Sequence, residues 1–182
     1  MALTVRPDQP MLITPRLDPG VPVFSLGRHA GVRRATIIAV KEHGRSELAR
    51  PLGAALGAGL RQLVAWGVVE LPVTLVPGPT RRSAARRRGG DPVTRMARTA
   101  APPGAEVVQA LRLRAFTRDS VGLSAGAREA NIAGRVRMCG GVRGEVVLVD
   151  DVVTTGATAC ESVRVLQTAG ARVAAVLAVA HA

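Results

Sequence analysis

Aromatic side chains are nearly missing from this chain. Phe24, Phe116 and Trp66 are the only rings in 182 residues, and tyrosine is absent. A platform that stacks successive bases of single-stranded nucleic acid needs several rings, so that class is disfavoured. The core must be aliphatic: hydrophobic residues make up 47% of the chain, mostly Ala, Val and Leu. Cysteine is equally scarce. Only Cys139 and Cys160 occur, with no C-x-x-C pair, which excludes a cysteine zinc site within these residues. No apolar run reaches the roughly 18 residues of a membrane span, and nothing resembles a secretory signal. No membrane association and a reduced, cytoplasmic setting are therefore expected. No G-x-G-x-x-G follows a first strand, which sets aside a dinucleotide-binding oxidoreductase. Acidic residues are few, 13 against 25 basic ones, for a net charge of +12 carried almost wholly by arginine. That imbalance favours polyanionic partners, either nucleic acid or phosphates and pyrophosphate.

What is present is concentrated near the C-terminus. The run Val146–Val149 is followed at once by Asp150 and Asp151, then by Val152-Val153 and the loop Thr154-Thr155-Gly156-Ala157-Thr158. A helical pattern continues to about Thr168 and stops at Gly170. Two adjacent acids at the end of a buried strand repel each other, or are desolvated at a cost, unless something binds them. The loop behind them offers backbone N–H groups and hydroxyls at a helix N-terminus, where an anion is stabilised. Carboxylates for sugar hydroxyls or a metal, beside a cradle for a phosphate, point to a phosphorylated sugar.

The length suits one domain with a substantial core. Residues 1–20 carry Pro7, Pro10, Pro15 and Pro19 and read as an irregular N-terminal arm with one short strand at Met11–Thr14. Residues 21–182 read as a single domain. Val21–Leu26 alternates like an edge strand, and Val32–Val40 predicts a helix ending near Gly44. Ser46 is a candidate N-cap for a second helix, with Leu48, Leu52, Leu56 and Leu60 on the face toward a sheet. Val73–Val76 is a buried-type strand stopped by Pro77-Gly78-Pro79. A helix carrying Val93, Met96 and Ala97 inward follows, then a strand over Val107–Leu113. A polar, Gly-rich stretch spans 116–142, with one short helix after Ser124. Val173–Val179 is the last strand. Helices alternating with short apolar strands predict an α/β fold: a parallel sheet flanked by helices, with ligands at the C-terminal strand ends, where Pro77 and Asp150 fall.

The Leu148–Thr158 segment resembles the motif that binds 5-phosphoribosyl 1-pyrophosphate (PRPP) in type I phosphoribosyltransferases. Three further segments narrow the resemblance to ComF-type proteins: Val76-Pro77-Gly78-Pro79 with the arginine stretch closing at Arg88-Gly89-Gly90-Asp91; Arg118–Ser124 with Arg128–Asn131; and, more weakly, Ile38–Arg45. Together they span about residues 35–180 in family order. The resemblance implies a type I phosphoribosyltransferase-like sheet with a flexible lid loop at 115–134, a length that suits a lid. It implies Asp150 and Asp151 as the catalytic pair, holding the ribose hydroxyls directly or through Mg²⁺. Thr154, Thr155, Gly156, Ala157 and Thr158 would wrap the 5′-phosphate. Pro77, Gly78, Arg81, Arg82 and Arg88 would attend the pyrophosphate, and Lys41 would face the substrate pocket. A homodimer is compatible with this reading.

Some positions depart from the family pattern. Thr154 stands where enzymes acting on 6-oxopurines carry an Asp, and a hydroxyl cannot accept a proton there at neutral pH; that substrate class is disfavoured. Gly90-Asp91-Pro92 replaces the usual Phe-Asn-Gln, the cysteine zinc module is absent, and few residues remain for a hood over a base. Two functions follow. One is a Mg²⁺-dependent phosphoribosyltransferase, a pentosyl-transferring glycosyltransferase of nucleotide metabolism, acting on PRPP and an unidentified small-molecule acceptor. The other is a non-catalytic module of the same fold, working in DNA uptake, competence or regulation through its arginine-rich surface.

Overall fold

The computed structural model describes residues 9–80, 90–114, 134–142 and 144–182. The strands are β1 (Met11–Ile13), β2 (Val23–Ser25), β3 (Val73–Pro77), β4 (Ala105–Val107), β5 (Leu111–Leu113), β6 (Val136–Met138), β7 (Glu145–Val153) and β8 (Arg172–His181). Among the described residues the helices are α1 (Gly31–Glu42), α2 (Ala49–Ala65), α3 (Pro92–Ala100) and α4 (Ala157–Thr168). Six strands form one sheet in the order β1-β2-β8-β7-β3-β4, and β5 and β6 form a separate two-stranded ribbon. Every pairing in the large sheet is parallel except β1 with β2. The fold is thus α/β, with a mixed, mostly parallel sheet flanked by helices. No helix among the described residues is long and apolar enough to cross a membrane.

Strand alternation divides the core between the two faces of the sheet. Val147 and Val149 of β7 join Leu75, Ala175 and Leu177 in a cluster with α1, α2 and α3. Val146 and Leu148 join Val76, Val173 and Val176 in a second cluster with α4 and the ribbon. The central strands are apolar on both faces because both are covered. Leu56, Leu60 and Leu63 of α2 are fully buried, each contributing about 1.5–3 kcal/mol over an exposed position. Beside these leucines, the flank of α2 that meets α3 carries glycines. A Cβ on Gly53 would lie 2.6 Å from the Met96 carbonyl oxygen, and one on Gly57 would lie 3.0 Å from that of Ala100. Glycine is what lets α2 and α3 meet backbone to backbone. Phe24 and Trp66, two of the three aromatic rings, stack tilted with centroids 6.4 Å apart.

Several boundaries differ from the sequence-based expectation. Val21–Leu26 is not at the edge: β2 lies between β1 and β8, because the short β1 folds back and takes the edge. Residues 107–113 do not make one strand. The chain leaves the large sheet after Val107 and enters the ribbon at Leu111, turning between them at Val108–Ala110. β6 lies inside the stretch expected to be irregular. Ser46 does not cap α2; it opens a 3-10 turn, Ser46–Leu48, that runs into the helix. The short helix expected after Ser124 lies outside the described residues.

Candidate functional site

The chain leaves β3 for β4 on one side and β7 for β8 on the other, while β3 and β7 are direct neighbours. Their C-terminal ends therefore border a crevice at a switch point of the sheet, the ordinary ligand position in such folds. Asp150 and Asp151 lie in β7, which runs on to Val153 rather than stopping at Val149. Gly78 continues the ladder from β3, its N–H donating to the Val149 carbonyl at 2.7 Å. A Cβ at position 78 would sit 3.0 Å from the Asp150 carboxyl carbon, so glycine permits this approach of strand end to carboxylate. Pro77, the last residue of β3, is buried beside them.

The two carboxylates are handled differently. Asp151 is buried, and the Lys41 ammonium lies 2.8 Å from its Oδ2. Lys41, the only lysine in the chain, follows the buried Ile37 by one helical turn of α1, which turns it toward the sheet. Among the described residues Asp150 has no such partner of its own. Its Oδ1 accepts the Asp151 backbone N–H at 2.8 Å. Burial first, and then the neighbouring Asp151 charge, push the Asp150 carboxyl up to about 7, with Lys41 acting in the opposite direction.

The loop beyond β7 opens α4. Gly156 takes a left-handed conformation (φ 89°) at its N-cap, and no side chain caps the helix. Its first turn carries no acid of its own, so the helix itself does not offset the positive end of its dipole. The Thr155 hydroxyl accepts the Ala157 N–H at 3.3 Å. Thr154, Thr155, Ala157 and Thr158 are half-buried. The N-terminal arm lies against this loop: the Leu17 N–H donates to the Thr155 carbonyl at 2.8 Å. Any Cβ on Gly156 would collide with the Leu17 carbonyl oxygen and touch Pro15.

Asp150, Asp151, Lys41, Pro77, Gly78 and the 154–158 loop are thus gathered at one end of the sheet. Arg81, Arg82 and Arg88 lie outside the described residues, as does 115–133 of the expected lid. Two residues that sequence reasoning passed over belong to the same end. The His29 N–H donates to the His181 carbonyl at 2.7 Å, and its buried Nδ1 has no hydrogen-bond partner among the described residues. Burial, and then Arg34, hold its imidazole below the usual value, against the opposing pull of Asp151. Asp91 caps α3, accepting from the Val93 and Thr94 N–H groups, from the Thr94 hydroxyl at 2.6 Å and from the Thr80 hydroxyl at 2.9 Å. It thereby ties the segment after Gly78 to the helix. Asp-Pro ahead of an amphipathic run is a capping signature, so Asp91 was findable from sequence; His29 follows a short strand with no local mark of its role.

No metal-binding group of three or more His, Cys, Asp or Glu side chains occurs among the described residues. Two carboxylates facing one ammonium still leave a local excess of negative charge, and the raised Asp150 expresses it. That donor set fits a Mg²⁺ ion that takes one or two carboxylates and fills its remaining positions with water and ligand phosphate oxygens. No family model and no curated protein matches the chain.

Proposed function

We propose that this protein is a PRPP-binding phosphoribosyltransferase of the ComF type, with a type I phosphoribosyltransferase-like fold. One observation carries the reading: an acid pair lies in the C-terminal part of the central strand, at the switch point of the sheet, with a threonine–glycine loop and a helix N-terminus just beyond it. Asp150 and Asp151 hold the ribose hydroxyls, with Lys41 orienting Asp151. The N–H groups of Gly156, Ala157 and Thr158, with the threonine hydroxyls, hold the 5′-phosphate. Gly78, lacking a side chain, leaves room for the pyrophosphate beside Asp150. Mg²⁺, when bound, neutralises charge on the departing pyrophosphate. The C1–oxygen bond to pyrophosphate breaks through an oxocarbenium-like state, and an acceptor nucleophile bonds to C1. The protein's share is positioning and electrostatic stabilisation.

Titration calorimetry with Mg·PRPP tests this. The wild-type chain is expected to bind, and Asp150→Asn with Asp151→Asn to lose at least about tenfold, the equivalent of one charge-assisted contact. Unchanged affinity in the double variant refutes the assignment. Where binding holds, pyrophosphate release across a panel of bases and amines identifies the acceptor.

A further inference from the structure

The β5–β6 ribbon carries arginine at every position of one face. In its antiparallel register Arg112 stands directly opposite Arg137. One step further, the Arg114 N–H donates to the Arg135 carbonyl at 2.8 Å, so those two residues are also opposed. The intervening residues Leu111, Leu113, Val136 and Met138 form the other face and pack into the core with α4. Alternation then turns Arg112, Arg114, Arg135 and Arg137 away from the core together. Arg114, Arg135 and Arg137 are exposed, and Arg112 is half-buried.

Like charges directly opposed across a strand pair destabilise it, and Arg112 and Arg137 are such a pair on a short ribbon. Arg112, Arg135 and Arg137 make no ion pair among the described residues. The apolar face alone would hold the ribbon down, so nothing in the packing calls for arginine opposite it.

We infer that this arginine face, with Arg112, Arg135 and Arg137 as its contacts, is a docking surface for the phosphate backbone of double-stranded nucleic acid. Charge complementarity identifies the chemistry. The arginines form two rows about 5 Å apart, with roughly 7 Å between neighbours in a row. One isolated phosphate can engage only part of that array, whereas a nucleic-acid backbone presents phosphates in series. No aromatic residue lies on the ribbon strands, so stacking of unpaired bases, the usual hold on a single strand, is missing. Contact through phosphates alone makes the binding independent of sequence and strongly dependent on salt. This inference does not depend on the ligand proposed for the strand-end site.

The test is fluorescence anisotropy of the full chain with a mixed-sequence DNA duplex over a salt series. The comparisons are Arg112→Gln/Arg137→Gln, Arg112→Lys/Arg137→Lys, and Arg61→Gln/Arg98→Gln on helices α2 and α3. The glutamine ribbon variant is expected to lower the slope of log affinity against log salt by about 1.8, near 0.9 for each lost contact. The lysine variant, which keeps the charge, should stay within about threefold of wild type, and the helix variant should match it. An unchanged slope in the glutamine variant overturns the inference. So does an equal loss in the helix variant, which would mean diffuse charge, or tighter binding to a single strand or to phosphatidylserine vesicles than to the duplex. Should the glutamine pair not fold by circular dichroism, the single Arg135→Gln variant carries the same comparison, with about half the change in slope.

Discussion

Replacing Asp150 by Asn should make the ligand-free protein more stable, and only above a definite pH. Burial and the neighbouring Asp151 raise the Asp150 carboxyl from 3.8 to about 7. The folded state therefore holds a proton that the unfolded chain releases near 3.8. Between the two values the folded state binds more protons than the unfolded one, so stability falls as pH rises, and above about 7 the full cost of the buried charge is present. A shift of roughly three units sets a ceiling of about 4 kcal/mol. Asp150 retains some solvent contact, so about 2–3 kcal/mol is the reasonable expectation after screening. Asn keeps an Oδ1 acceptor for the Asp151 N–H and removes the charge. For a chain of this length each kcal/mol moves Tm by about 2–4 °C, so the variant should melt about 5–10 °C above wild type at pH 8. At pH 4 the two should nearly coincide. Calorimetry or circular dichroism in EDTA, across this range, measures the difference. A variant no more stable than wild type at pH 8, or a gain that does not change with pH, refutes the reasoning. The same substitution is expected to weaken Mg·PRPP binding, so the cost of the unpaired acid is the mark of a site shaped for a ligand rather than for stability.

Two further outcomes follow from the packing. Lys41→Met leaves Asp151 buried without its ammonium partner and removes the charge that holds Asp150 down. Because Lys41 is 40% exposed, the loss should be about 1–2 kcal/mol at pH 8, below the value for a fully buried pair. It should shrink at pH 5, and urea unfolding at the two pH values checks this; no loss at either would mean the pair contributes nothing. Gly53→Ala places a methyl 2.6 Å from the Met96 carbonyl oxygen and the Thr99 Cβ. It should cost about 2–3 kcal/mol in urea unfolding despite alanine's higher helix propensity; a neutral or stabilising result would show that α2 and α3 can separate freely.

Much of the secondary structure was legible in the chain because its signals are local. The apolar runs at 73–76, 146–149 and 173–179 lie in β3, β7 and β8, and the fourfold leucine spacing marks the buried side of α2. Gly44 and Gly170, both with positive φ, sit just beyond helix ends, where the absence of a Cβ relieves the left-handed conformation. The acid pair before a threonine–glycine loop was equally visible, as was the strand-to-helix turn that contains it. The break between β4 and β5 was not, since residues 105–113 give no local sign that the chain changes sheets at Val108–Ala110. The position of β2 was misjudged for a related reason: its alternation is the same whether or not a further strand covers its edge.

Side-chain period and turn chemistry act over a few residues, so most of the elements, the strand-end carboxylates and the excess of arginine could be read from the chain alone. The assembled fold is what sets β3 beside β7, bringing Gly78 against Asp150, and what lets α1 deliver Lys41 to Asp151 from more than a hundred residues away. It likewise decided that Arg112 faces Arg137, a pairing of residues 25 apart that follows from the register of the ribbon. Sheet order and strand register are set by which apolar faces can be buried together, and that is a property of the assembled core rather than of any segment in it.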